Sequence, residues 1–238
     1  MGKLNLITVN DSRSPISEAY KTLRTNMQFS SYDKQVQTIV ITSSGPGEGK
    51  STVSSNLAVV FAQSGHKTIL IDCDLRRSKL HRIFQISNNK GLSNFLAGQC
   101  NEDEIINSTP VDNLSVIPSG TRPPNPSELL ASNKMQSFLE KLKEEYQYII
   151  LDTPPVIMVT DAQVLSRYSE GVVLVICADQ VDRGAAIRSK ELLLKVNARI
   201  LGVVLNKVKS SGKGYYDRYS DYYYNEGEGK KRRKLRDK

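Results

Sequence analysis

Ile39-Val40-Ile41-Thr42-Ser43-Ser44-Gly45-Pro46-Gly47-Glu48-Gly49-Lys50-Ser51-Thr52-Val53 is the stretch that decides the fold. A β-branched run passes into a glycine-rich turn that closes on Lys-Ser-Thr and opens a helical period. Gly45, Gly47 and Gly49 let the backbone wrap an anion, with N–H groups pointing inward and the helix N-terminus adding its dipole. Lys50 then reaches the β- and γ-phosphates of ATP, and the Ser51 hydroxyl binds Mg²⁺. The usual pattern begins with glycine, where Ser44 stands here. The nucleotide-binding set read from this loop is Gly45, Gly47, Glu48, Gly49, Lys50, Ser51 and Thr52.

Outward from the loop, strand-like runs alternate with helical periods. Strands are expected over residues 37–43, 67–73, 113–118, 148–152, 171–178 and 200–206. Val53, Leu57, Val60 and Phe61 recur at helical spacing after the loop, and Ser132 reads as the N-cap of a helix carrying Met135, Phe138, Leu139 and Leu142. Continuous apolar strands such as residues 172–177 belong to a sheet buried on both faces. The fold class is therefore α/β, a mostly parallel sheet flanked by helices. Three segments are expected: an N-terminal helical and oligomerisation segment over 1–34, with its helix at 17–30; a P-loop domain over 35–207; and a tail over 208–238. The tail is rich in Gly, Ser, Tyr and charge without aliphatic periodicity, and disorder is expected there.

Two further strands end in carboxylates. Ile69-Leu70-Ile71-Asp72-Cys73-Asp74-Leu75-Arg76 places aspartates at i and i+2, which strand alternation would aim the same way, toward the carboxyl edge where α/β sites form. Ile149-Ile150-Leu151-Asp152-Thr153-Pro154-Pro155 puts Asp152 where a Walker B aspartate holds Mg²⁺. A lone strand-end aspartate is usually a cap or turn former. Three of them on strands following a P-loop point to one site.

Charge and cysteine usage narrow the class. The net charge is +8, and Lys230–Lys238 carries +6 of it, leaving the remaining body close to neutral. That is a basic terminus rather than a nucleic-acid-binding domain, and no nucleic-acid partner is expected. Cys73, Cys100 and Cys177 are odd in number and lack metal-ligand spacing, which reads as reduced thiols. No segment approaches the length of a membrane span, and the first 30 residues lack a signal-peptide apolar core. A cytoplasmic protein is expected.

Taken together, Ser44–Thr52, Asp72-x-Asp74-x-Arg76 and Asp152-x-x-Pro155 resemble the bacterial tyrosine kinases, P-loop enzymes related to cell-division and partition ATPases. The resemblance extends to Arg122-Pro123-Pro124-Asn125-Pro126-Ser127-Glu128-Leu129-Leu130 and to the cluster Tyr215, Tyr216, Tyr219, Tyr222, Tyr223 and Tyr224. It looks like the separate cytoplasmic subunit of Gram-positive bacteria, which works in capsule or exopolysaccharide production. The resemblance implies roles residue by residue. Lys50 contacts the phosphates; Ser51, Asp74 and Asp152 organise Mg²⁺; Asp72 takes the tyrosine proton. Asn206 contacts the adenine base, and the six tyrosines accept phosphate. Glu18, Lys21 and Arg24 match a subunit-contact motif, with lysine in place of its first arginine. The implied partners are a transmembrane activator with a cytoplasmic tail that recruits the chain to the inner face of the plasma membrane, further copies in a ring, a cognate tyrosine phosphatase and exogenous protein substrates. The rival reading is a partition- or septum-site-type switch ATPase. Those relatives carry a signature lysine near the loop's start, where Gly45 stands here.

Overall fold

The computed structural model describes residues 4–30 and 36–208. Among the described residues seven strands, β1 (Thr38–Ser43), β2 (Thr68–Asp72), β3 (Asn107–Ser108), β4 (Leu114–Ile117), β5 (Tyr148–Asp152), β6 (Gly171–Cys177) and β7 (Ile200–Asn206), form one sheet in the order β3-β4-β2-β5-β1-β6-β7. All neighbours are parallel except β3, which pairs antiparallel with β4 at the edge. The six expected strands are present within one or two residues of their expected bounds. β3 was not expected, because two residues carry no alternation to read.

The helices are α1 (Ile7–Asn10), α2 (Pro15–Phe29), α3 (Lys50–Gln63), α4 (Leu80–Ile83), α5 (Leu92–Leu96), α6 (Pro126–Leu130), α7 (Asn133–Glu145), α8 (Asp161–Ser166) and α9 (Arg183–Leu194). α2 begins two residues before its expected start, because Ser14 caps it by accepting from the Ser17 N–H and Pro15 occupies the first helical position. Ser132 caps α7 as expected, accepting from the Met135 N–H at 3.2 Å.

Strand alternation distributes the apolar side chains between two cores, one on each face. Val40, Ile69, Ile71, Ile149 and Leu151 face a layer built by Met135, Phe138, Leu139 and Leu142 of α7 and by Leu165 of α8. Ile39, Ile41, Leu70 and Ile150 face Val53, Leu57, Val60 and Phe61 of α3. Leu4, Leu6 and Met27 join this second core. The N-terminal segment, expected as a segment apart from the P-loop domain, is thus packed onto that domain's core. A buried network reinforces the docking: the Thr8 N–H and hydroxyl both donate to Asn56 Oδ1, and Asn56 Nδ2 donates to the Thr52 carbonyl at 2.8 Å. The six acceptor tyrosines and the terminal basic run lie outside the described residues.

Candidate active site

β1, β2 and β5 deliver the site because they are adjacent in the sheet, with β2 and β5 ending level at Asp72 and Asp152. Asp72 and Asp152 are direct neighbours across the β2–β5 pair, and both are fully buried. On β5, Asp152 shares the face of Ile150, which puts it beneath the start of α3. Crosslinks hold the strand ends together. The Thr153 hydroxyl donates to the Ile41 carbonyl at 2.9 Å, and the Thr42 hydroxyl donates to the Pro154 carbonyl at 2.8 Å.

The glycine-rich turn leads into α3 with Gly49 at φ +95°, a conformation costly for any residue with a Cβ. A Cβ there would lie 2.1 Å from Asn206 Nδ2. That amide nitrogen donates to the Glu48 carbonyl at 2.8 Å, so the end of β7 braces the loop. The Glu48 carboxylate is almost fully buried. It accepts from the Gly45 N–H and, at 3.2 Å, from the Cys177 N–H. Glu48 therefore buttresses the loop against β6.

Lys50 is buried and donates to Asp74 Oδ2 at 3.2 Å and to Ser51 Oγ at 3.3 Å. Burial works against its ammonium, but Asp152 and Asp74 outweigh it and the pKa is raised. Asp72 makes different contacts. Its Oδ1 accepts from the Asp74 N–H at 3.2 Å, and its Oδ2 accepts from the Lys79 and Leu80 N–H groups, each at 3.1 Å. β2 ends at Asp72, so the loop rather than strand alternation sets the direction of Asp74. Cys73 does point to the opposite face, into the α7 core.

Three buried carboxylates share one ammonium, which is electrostatically expensive. Burial, then the charge of Asp152, pushes Asp72 up to about 8 despite its backbone donors. Burial raises Asp152 as well, against the pull of Lys50. Among the described residues neither Asp152 oxygen has a hydrogen-bond partner; the Ser51 and Ser54 hydroxyls stand near enough to favour its ionised form without reaching bonding geometry. A buried carboxylate left this bare calls for a cation or ordered water. Among the described residues no three His, Cys, Asp or Glu side chains converge as a protein-only metal cage. Two carboxylates and a hydroxyl instead suit Mg²⁺, which is held by a few protein oxygens together with substrate phosphates.

A second layer includes one residue that sequence reasoning missed. Asp161, fully buried at the start of α8, accepts from the Ser127 hydroxyl at 2.6 Å and from Arg76 at 3.4 Å. Arg76 also donates to Ser127 at 2.9 Å. The loop after β2 is thereby tied to the proline-rich loop and to the segment after β5. An aspartate at a helix start reads as a cap, so nothing in the sequence singled Asp161 out. A cavity of about 410 Å³ beside Arg122, Pro123 and Pro124 is larger than the one of about 160 Å³ over the P-loop. Lys50 and Asp74 line the smaller one.

On α2, Lys21 pairs with Glu18 at 2.7 Å and donates to the Ser12 carbonyl at 2.9 Å. Arg24 turns inward and donates from Nη1 to the Val60 carbonyl at 3.2 Å, while its buried Nε has no partner among the described residues. The three charges are thus engaged within the chain.

Comparison with known proteins places this geometry in context. A family model described as an AAA domain matches residues 36–197. The tyrosine-protein kinase YwqD of Bacillus subtilis is 40% identical over 215 residues, covering 90% of this chain and 91% of that protein. The crystal structure of the chimerical protein CapA2B2 superposes with a TM-score of 0.85 at 41% identity, over 88% of this chain and 92% of that one. The kinase domain of Escherichia coli tyrosine kinase ETK gives a TM-score of 0.85 at 34% identity, covering 90% and 85%. The septum-site-determining protein MinD of Pyrococcus horikoshii, solved with Mg-ADP, is more distant: TM-score 0.62, 25% identity, covering 78% and 76%.

Proposed function

The chain belongs to the bacterial tyrosine kinases, a branch of the P-loop AAA-type NTPases, and from this premise we propose that it phosphorylates protein tyrosines with ATP in the control of capsule or exopolysaccharide production. The observation that carries the reading is the buried grouping of Lys50, Asp74 and the bare Asp152 carboxylate at the mouth of the P-loop.

Gly45, Gly47, Gly49, Lys50, Ser51 and Thr52 cradle the triphosphate, and Asn206, already bonded to the loop, takes the base. Glu48 acts by shaping the loop. Ser51, Asp74 and Asp152 would hold Mg²⁺, which neutralises phosphate charge and orients the β- and γ-oxygens. In the transfer itself, the phenol oxygen forms the new bond to the γ-phosphorus. The bond from that phosphorus to its β-bridging oxygen breaks, and ADP leaves with the electron pair. The proton passes to Asp72. A phenol of pKa about 10 faces an ordinary aspartate of about 4, a poor match. Burial and the charge of Asp152 lift Asp72 to about 8 in the free protein, which narrows the gap, and the cations of the loaded site would draw off its own proton before it serves as acceptor. Transfer comes late, once bonding to phosphorus has acidified the phenol.

The acceptors are Tyr215, Tyr216, Tyr219, Tyr222, Tyr223 and Tyr224, within a tail following the P-loop domain. Glu18, Lys21 and Arg24 contribute to a ring of copies. Among the described residues no helix is long and apolar enough to cross a membrane. Recruitment to the inner membrane face runs through a transmembrane activator, and a tyrosine phosphatase reverses the modification.

Intact mass after incubation with Mg·ATP tests the reading. The wild-type chain should gain phosphates one at a time, and both Lys50→Met and the six-Tyr→Phe form should gain none. ATP hydrolysis without any mass gain in the wild type would favour the switch ATPase.

A further inference from the structure

Two cations at the mouth of the P-loop cavity have no role in the chemistry above. Arg77 and Lys79 line that cavity together with Gly47, Lys50 and Asp74. Both residues are exposed, and neither has an ion-pair partner among the described residues. Their backbone is nevertheless held firmly. The Arg77 N–H donates to Asp74 Oδ1 at 2.9 Å and the Lys79 N–H to Asp72 Oδ2 at 3.1 Å. The same carboxylates that organise the transfer thus fix where these two cations stand. Ordinary surface lysines and arginines roam and contribute little. A pair anchored at the rim of a cleft instead sets the local potential met by whatever enters it.

The acceptor segment has the complementary composition. Residues 215–229 hold Asp217, Asp221, Glu226 and Glu228 against the single Arg218, a balance of 1 − 4 = −3. The acceptor tyrosines therefore lie in acidic sequence, apart from the basic run that follows.

We propose that Arg77 and Lys79 are specificity determinants that recognise acidic residues flanking the acceptor tyrosine, making acidic tyrosyl segments the substrate class of this site. The inference rests on the tyrosine-kinase reading and deepens it. Recognition of flanking charge acts on encounter and orientation, so it falls on the peptide's KM and weakens with salt.

Two peptides spanning residues 215–224 test it, one of native sequence and one with Asp217→Lys and Asp221→Lys, each phosphorylated by the full chain with Mg·ATP. The native peptide should have a kcat/KM higher by roughly tenfold, and the ratio should shrink as salt is raised. R77E/K79E should reverse the preference and R77Q/K79Q should bring the ratio near one. Equal use of both peptides by the wild-type chain overturns this inference and leaves the kinase reading intact. So does a preference that survives R77E/K79E while KM for ATP rises, which would make the two cations nucleotide contacts. Phosphorylation of neither peptide overturns both.

Discussion

Replacing Asp72 with asparagine should stabilise the nucleotide- and metal-free protein while abolishing phosphoryl transfer. Asp72 is fully buried, and its neighbours hold its pKa at about 8 against an ordinary value of 3.8. An acid whose folded pKa is raised keeps its proton in the native state after the unfolded chain has released it. Its contribution to stability is fully present below about pH 4 and is lost as pH rises through about 8. Each pH unit inside that window costs about 1.4 kcal/mol, so by pH 7 the cost is on the order of 4 kcal/mol. Asparagine carries no such cost. Its amide can accept from Lys79 and Leu80, but it then sets an N–H₂ against the Asp74 N–H now satisfied by Oδ1. A buried donor left without an acceptor costs about 1–3 kcal/mol. The net gain at about pH 7 is therefore about 1–3 kcal/mol, or roughly 3–10 °C in melting temperature. At about pH 5 the charge cost is under about 2 kcal/mol, so the gain should vanish or change sign. Urea unfolding followed by circular dichroism, on both proteins across this range and with chelator present, measures the difference directly. A stability difference that does not grow with pH refutes the reasoning, because it would mean that Asp72 is an ordinary ionised carboxylate in the free protein.

Other substitutions probe separate parts of the site. Asp152→Asn should raise the Mg²⁺ concentration needed for half-maximal activity by tenfold or so, about 1.4 kcal/mol, with a smaller change in maximal rate; a magnesium titration checks this. Gly49→Ala introduces a Cβ 2.1 Å from Asn206 Nδ2 at φ +95°. It should cost about 1–2 kcal/mol in stability and weaken ADP binding in calorimetry. Glu18→Ala with Lys21→Ala should barely change monomer stability, since exposed pairs contribute about 0–1 kcal/mol, yet should reduce the sedimenting oligomer if α2 forms the subunit contact. Arg24→Ala should lower stability too, because its Nη1 bonds the Val60 carbonyl within the same chain.

Much of this protein was legible in the sequence because the relevant signals are local. The P-loop needs glycines followed by Lys50 and Ser51 in a contiguous run, and buried parallel strands need unbroken apolar segments. The strand-end positions of Asp72 and Asp152 follow from counting. The packing of residues 4–30 was not legible, since Leu4, Leu6 and Met27 are too few to show a period and their partners lie on α3. α9 was missed for a related reason. Its sequence Arg-Gly-Ala-Ala-Ile-Arg-Ser-Lys-Glu-Leu-Leu-Leu has no strong apolar stripe, and it is started by Asp182, which accepts from the Gly184 N–H.

The sequence by itself determined the anion cradle, the α/β class, the family and which residue types could do the chemistry, because each is encoded in contiguous spacing. Tertiary structure alone decided how those residues divide the work. Strand order brings Asp72 and Asp152 side by side although 79 residues of chain lie between them. Once they are adjacent and dry, burial first and the charge of Asp152 second raise Asp72, so the surroundings rather than its identity as an aspartate set whether it keeps a proton. The same assembly turns Glu48 inward as a brace, fastens Arg76 to Asp161 and Ser127, and aims Arg77 and Lys79 at the cavity mouth. None of these is written in any single stretch, because each depends on electrostatic and hydrogen-bond partners that meet only when the sheet closes.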